Sequence, residues 1–290
     1  ALRDCATNAC GCAFQFSTDS QLAGIYHLAR LARLMIELRH IQKTFDGGAS
    51  YAVFDTSLTI ARGELLALIG ESGSGKTTTL KMINRLEEPT AGQVLVAGRD
   101  VLEQNLQELR RNIGYVFQGA GLFPHHNVAR NIAAVPELLG WSKEVIEARS
   151  REVCALVGLP YDDYALRIPS ELSGGQQQRI GVARALAARP DVLLMDEPFG
   201  ALDPITRAGL QEEFRRIQQE LQLTVVLVTH DITEAMLMAD RIAVMQGGEL
   251  IQVGTASELL NHPAHDYVTQ LMEMPRRRAE RLERVMRAAE

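Results

Sequence analysis

No stretch of this 290-residue chain approaches ~18 consecutive apolar residues, so none is long enough to read as a membrane-spanning helix. Any work at a membrane would have to run through another chain. The sequence also lacks a charged start followed by a sustained apolar run, so no secretory signal is visible. It has no excess of positive charge: 30 Lys and Arg against 36 Asp and Glu give a formal net charge of −6. A nucleic-acid partner would favour a basic face, and none is expected. There is no repeat of roughly 20–50 residues and no long heptad run, which argues against a solenoid or a coiled coil. Cysteine is scarce. Cys5, Cys10 and Cys12 cluster near the start and Cys154 falls in an expected helix. The cluster matches no common zinc spacing and has no histidine nearby, so it reads as incidental thiols in a leader. A reducing, cytoplasmic setting is the simpler assumption.

What is present has the length and composition of a folded domain, 46% hydrophobic and 23% charged. Residues 1–34 differ from the rest and are expected to be a disordered or non-native leader, with Met35 as the natural start. Residues 35–271 form the expected domain. Ile36 to Ile41 alternates like a strand. Leu65–Ile69, Val192–Met195 and Thr224–Val228 are continuous apolar runs, the pattern of strands covered on both faces by helices. Ile242–Met245 and Glu249–Val253 flank Gln246-Gly247-Gly248 and read as a hairpin. Ser142 to Leu159 reads as a helix capped by Ser142 and ending near Gly158. Residues 272–290 are a charged tail, with Pro275 followed by Arg276-Arg277-Arg278.

The strongest local motif is Gly70-Glu71-Ser72-Gly73-Ser74-Gly75-Lys76-Thr77, which matches the P-loop pattern at every fixed position. A buried strand precedes it and Thr78 to Arg85 reads as a helix. Glycines at these places let successive backbone N–H groups turn inward toward phosphate oxygens. The helix start adds a partial positive charge. Gly70, Ser72, Gly73, Gly75, Lys76, Thr77 and Thr78 are therefore the expected phosphate-binding residues. Lys76 is expected to reach the β- and γ-phosphates of a nucleotide and the Thr77 hydroxyl to ligate Mg²⁺.

The run Val192-Leu193-Leu194-Met195 ends in two acids, Asp196 and Glu197. A carboxylate at the tip of a strand beside a P-loop is the Walker B arrangement. Adjacent side chains on a strand point opposite ways, so the two acids can take different work. Asp196 is assigned to the Mg²⁺ shell. Glu197 is assigned as general base toward the attacking water. Leu172-Ser173-Gly174-Gly175-Gln176 then opens an apparent helix, Gln177 to Ala188, a second helix start suited to an anion.

Together these motifs resemble the ATP-binding cassette family, and the resemblance covers about Ile36 to Leu271. Gln118 in Gly114-Tyr115-Val116-Phe117-Gln118 matches the Q-loop, Leu172 to Gln176 the signature, Ala201-Leu202-Asp203 the D-loop, and His230 in Thr229-His230-Asp231 the switch histidine. Phe45 stands where the family places an adenine-stacking aromatic, with Tyr51 and Tyr26 as competitors. The resemblance implies an α/β fold: a P-loop NTPase (RecA-like) core with an antiparallel β subdomain and an inserted helical subdomain at about 119–178. It implies two copies paired head to tail, with Ser173 and Gly175 of one facing the γ-phosphate held by the other. Gln118 senses Mg²⁺ and water, His230 holds the γ-phosphate, and Asp203 of the D-loop is counted among the nucleotide-binding residues. It also implies a separate permease docked near Gly121 to Val128, at the cytoplasmic face of the membrane, and an extracytoplasmic binding protein acting indirectly.

Leu80 to Leu86 and Gly121 to Trp141 look like the importers of glycine betaine, choline and related osmoprotectants. An importer of amino acids, methionine or polyamines would use the same chemistry, and a non-transport cassette ATPase is a further alternative. Many relatives of the osmoprotectant type carry a C-terminal pair of CBS domains. The residues after Leu271 in this sequence are too few for one, so regulation by such a module is not expected from it.

Overall fold

The apolar runs do become strands, and their register decides which residues face which core. The computed structural model describes residues 34–200 and 202–287; residues 1–33 of the expected leader, with its cysteines and Tyr26, lie outside the described residues, while Leu34, also assigned to the leader, opens the first strand. In chain order the elements begin with β1 (Leu34–Lys43), β2 (Val53–Ala61), β3 (Leu65–Ile69), α1 (Lys76–Ile83), β4 (Ala91–Val96) and β5 (Arg99–Asp100). Next come α2 (Leu106–Asn112), β6 (Ile113–Val116), α3 (Val128–Leu138), α4 (Lys143–Leu156), α5 (Tyr161–Tyr164) and α6 (Gly174–Ala187). The chain continues through β7 (Val192–Asp196), α7 (Pro204–Leu221), β8 (Thr224–Val228) and α8 (Ile232–Met238). It closes with β9 (Arg241–Gln246), β10 (Glu249–Gly254), α9 (Ala256–Asn261) and α10 (Asp266–Arg287).

Two sheets result. β2-β1-β4-β5 form a four-stranded antiparallel sheet, and β10-β9-β3-β8-β7-β6 form a six-stranded sheet, parallel except for β10 at its edge. Alternation along the parallel strands splits the core. Leu65, Leu193, Met195, Val225 and Leu227 pack toward α6, α7 and the helical insert. Leu66, Leu68, Val192, Leu194, Val226 and Val228 face the other way, into a core shared with β1, β2 and α1. A third cluster joins Ala67, Ile69, Ile242 and Val244 to α8 and α10. Because both sheet faces are covered, the strands lost the polar alternation of a half-exposed sheet, which is why they read as unbroken apolar runs.

The C-terminal ends of β3, β6, β7 and β8 emerge along one edge, where an open parallel sheet places ligands. The P-loop, Gln118, Glu197 and His230 follow these four strands in turn. Two helix starts correct the sequence reading. α1 begins at Lys76, not Thr78, and α6 begins at Gly174, not Gln177. In α1 the motif's Lys76 and Thr77, and in α6 Gly174 and Gly175, look like loop but already form the first turn. Pro275 lies within α10, which runs through the start of the charged tail. No helix among the described residues is long and apolar enough to cross a membrane.

Candidate active site

The P-loop holds its shape because particular glycines leave no room for anything else. Gly70 has φ of 149° and a Cβ there would stand 2.1 Å from the Met245 carbonyl oxygen; Gly75 has φ of 96° and its Cβ would stand 2.4 Å from that of Ala52. Gly73, at φ of 81°, faces open space. Gly75 caps α1 without a side-chain hydrogen bond, so the first N–H groups of the helix keep their positive ends available. The Glu71 N–H donates to the Tyr267 hydroxyl from α10 at 2.9 Å, which fixes the loop from the far end of the chain.

Lys76 folds back over the loop. Its Nζ donates to the carbonyls of Gly70 (3.0 Å) and Glu71 (2.7 Å) and to Ser74 Oγ (3.3 Å). Burial lowers its pKa, opposed by the nearby carboxylates of Glu197, Asp196 and Glu71. A phosphate would supply the full counter-charge that loop carbonyls only approximate. The resulting cavity, about 520 Å³, is walled by Ser72, Gly73, Gly75, Lys76, Thr77 and Thr78, together with Ala52, Glu197 and His230.

The acid end sits on two further strands. The Thr77 hydroxyl donates to Asp196 Oδ1 at 2.9 Å across 119 residues of sequence. Burial raises the Asp196 pKa, with Thr77 pulling it down and Glu197 pushing it up. Tyr115, beside it on β6, is held protonated by burial and by the Asp196 carboxylate. Glu197 adopts φ of 46°, a left-handed conformation rare outside glycine, held by its own N–H bonding to the Val228 carbonyl at 2.9 Å. Its carboxylate is gripped from both sides: Gln118 Nε2 donates to Oε2 at 3.2 Å, and His230 Nδ1 stands 3.3 Å from Oε1.

This donor set fits Mg²⁺. Thr77 and Asp196 offer a hydroxyl and one carboxylate, hard oxygens already in contact, with the Gln118 amide nearby on Glu197. Among the described residues no three His, Cys, Asp or Glu side chains gather into a cage. Magnesium is typically held in this way, by one or two carboxylates, with waters and substrate phosphates completing its shell.

Other expected site residues do not line this cavity. Ser173 caps α6 in a capping box with Gln176, and Asp203 caps α7 by accepting the Thr206 N–H at 3.0 Å. The two caps abut: a Cβ on Gly175 would fall 2.7 Å from Thr206 Cγ2. Phe45 is 65% exposed, with Lys43 Nζ 4.8 Å above its ring, and Tyr51 packs edge-on against Phe54. Sequence reasoning missed Ala52, which lines the cavity, and Tyr267, which pins the P-loop; neither belongs to a motif. A second cavity, about 640 Å³ and mostly apolar, opens beside Gln118, with Phe117, Phe123, Leu138 and Arg184 among its walls.

Comparison with known proteins agrees with this arrangement. A family model described as ABC transporter matches residues 53–200. The glycine betaine/carnitine/choline transport ATP-binding protein of Bacillus subtilis is 52% identical over 238 residues, covering 82% of this chain and 62% of the relative. The glycine betaine uptake system ATP-binding protein of Escherichia coli is 53% identical over 236 residues, 81% of this chain and 76% of the relative. This chain spans about three fifths of the length of the Bacillus relative. Among solved structures, a dimeric post-hydrolysis state of an ATP-binding cassette bound to ADP and Pi superposes with a TM-score of 0.69 at 34% identity, covering 76% of this chain and 98% of that one. With the motifs, the cavity and these matches in agreement, the chain belongs to the ABC transporter family.

Proposed function

We propose that this chain is the ATP-hydrolysing subunit of an importer, driving a separate membrane permease for glycine betaine, choline or a related osmoprotectant. The observation that carries it is Glu197, held between Gln118 and His230 on the wall of the P-loop cavity. A carboxylate there can take the proton from a water aimed at the terminal phosphate.

In this reading the phosphates of ATP enter the cradle of Gly70, Ser72, Gly73, Gly75 and Thr78, and Lys76 exchanges its loop carbonyls for the β- and γ-oxygens. Thr77, Asp196 and Gln118 would hold Mg²⁺, which would supply positive charge against the phosphates. Glu197 accepts a proton as water oxygen bonds to the γ-phosphorus and the bond to the β-bridging oxygen breaks, leaving ADP and phosphate. His230 steadies the γ-phosphate. Positioning and charge neutralisation supply most of such a rate gain. Phe45 stacks on adenine.

Ser173, Gly175 and Asp203 serve the site of a second copy, which explains why they stand outside their own cavity. The relative in the solved structure is dimeric. Loss of the γ-phosphate opens the pair, the two-state element that a transporter needs. The apolar cavity beside Gln118 suits a short helix of the permease, at the cytoplasmic face of the membrane; Phe123 on its rim is half exposed and Leu122 packs on the core. The extracytoplasmic binding protein acts through that permease.

The test is uptake of labelled glycine betaine and choline at high osmolarity, in cells lacking other osmoprotectant importers. Wild type should support uptake and Glu197→Gln should not. Equal uptake from both, with purified wild type still hydrolysing ATP, would keep the motor and discard the osmoprotectant.

A further inference from the structure

Between the D-loop and the loop carrying His230 lies a polar cluster that the chemistry above does not use. Arg207, one turn into α7, donates from Nη2 to the carbonyls of Leu202 (3.0 Å) and Gly200 (3.4 Å). Its Nη1 stands 3.7 Å from Asp231 Oδ2, an ion pair too long for a hydrogen bond. Asp231 follows His230 directly and caps α8, accepting the N–H groups of Thr233 (2.9 Å) and Glu234 (3.3 Å). Its own N–H donates to Thr229 Oγ1 at 3.0 Å, and the Thr229 hydroxyl donates to Glu234 Oε2 at 2.7 Å. His230 is thus carried between two pinned neighbours. On the D-loop side, a Cβ on Gly200 would stand 3.9 Å from both Glu197 Oε2 and His230 Cε1. One guanidinium therefore ties together the two loops that flank the reacting carboxylate.

Among the described residues the cluster is not saturated. Arg207 Nε and Glu234 Oε1 are both buried and find no hydrogen-bond partner among the described residues. Leaving a charged donor and a carboxylate oxygen half-satisfied in a buried network is costly. Two such atoms of opposite character in one cluster point to a second arrangement in which each is satisfied.

We propose that Arg207 is a positioning residue that couples the D-loop to His230. When the D-loop shifts against a second copy, the guanidinium carries the displacement through Asp231 to the histidine beside Glu197. The inference rests on the paired, ATP-hydrolysing reading above. Arg207 does not line the nucleotide cavity, so its loss alters turnover and leaves nucleotide binding in place.

The test uses the full chain: steady-state Mg-ATP hydrolysis, titration with a fluorescent ATP analogue, and the thermal midpoint. Arg207→Ala should lower kcat about tenfold or more while KM and the analogue Kd stay within about twofold. Added methylguanidinium should restore part of the lost kcat. Asp231→Asn keeps the cap acceptor but removes the charge, and should lower kcat in the same way. The double variant should be no worse than either single one, because both cut the same link. Should Arg207→Ala not fold, Asp231→Asn and Arg207→Lys carry the test; Lys keeps the charge but loses the fork that spans carbonyls and acid. Wild-type kcat in Arg207→Ala, a loss confined to KM and Kd, or multiplied losses in the double variant would overturn the coupling alone. A wild-type chain that hydrolyses nothing would overturn the underlying reading and the coupling with it.

Discussion

Glu197 shows how much of the site rests on single residues. The sequence names it, because two acids end a buried strand after a P-loop. Its left-handed backbone, with φ of 46°, is invisible in the sequence, since it depends on the Val228 carbonyl of the next strand. Lys76 is similar: the motif assigns it to phosphate, while its resting contacts on Gly70 and Glu71 appear only in three dimensions. Lys76→Ala should weaken nucleotide binding roughly 10- to 100-fold, the worth of a charge-assisted hydrogen bond, in a fluorescence titration. Glu234 makes a separate prediction. Burial raises its pKa from 4.5 to about 7, only partly opposed by Thr229. The folded chain then holds this proton where the unfolded chain has released it. The associated stability is complete below the unfolded value and is lost as pH rises through about 7. The loss amounts to about 3 kcal/mol. Glu234→Gln should flatten the decline in unfolding free energy between pH 5 and pH 7.5, measured in urea. An unchanged slope would place that pH dependence elsewhere.

At the scale of elements, legibility follows burial. β3 and β8 match their expected runs end to end and β7 extends by one residue, because strands covered on both faces carry no competing polar pattern. The hairpin is legible from its glycine turn, with Gly247 and Gly248 both at positive φ, although β10 is a half-exposed edge strand. The starts of α1 and α6 are displaced because a helix start that receives an anion is built from glycine and hydroxyl residues, which also spell a loop. Caps and glycines separate in cost. Ser142 accepts the Val145 N–H at 3.4 Å at an exposed helix start, so Ser142→Ala should cost about 1 kcal/mol. Gly70→Ala would drive a methyl into the Met245 carbonyl and hold a left-handed backbone besides, and should cost several-fold more. Thermal midpoints of the two variants compare them directly.

For the molecule as a whole, the sequence names the signature and D-loop residues but only the fold shows that they stand outside their own nucleotide cavity. Ser173 and Asp203 cap two helices that meet at Gly175, while Lys76, Thr77, Glu197 and His230 share the cavity. In the proposed reading Ser173, Gly175 and Asp203 serve the site of another copy, and ATP should act as the glue of a pair. Glu197→Gln with Mg-ATP should run as a dimer in light scattering, and Lys76→Ala should stay a monomer. Tyr267, far along the chain, adds a link from α10 to the P-loop that no motif foretells. The most direct measurement is phosphate release by the purified chain with Mg-ATP, wild type beside Glu197→Gln. The account predicts steady release from wild type and a fall of at least about 100-fold in the variant, with ATP still bound. Normal turnover by Glu197→Gln would contradict it, and the search for the base would begin again with His230.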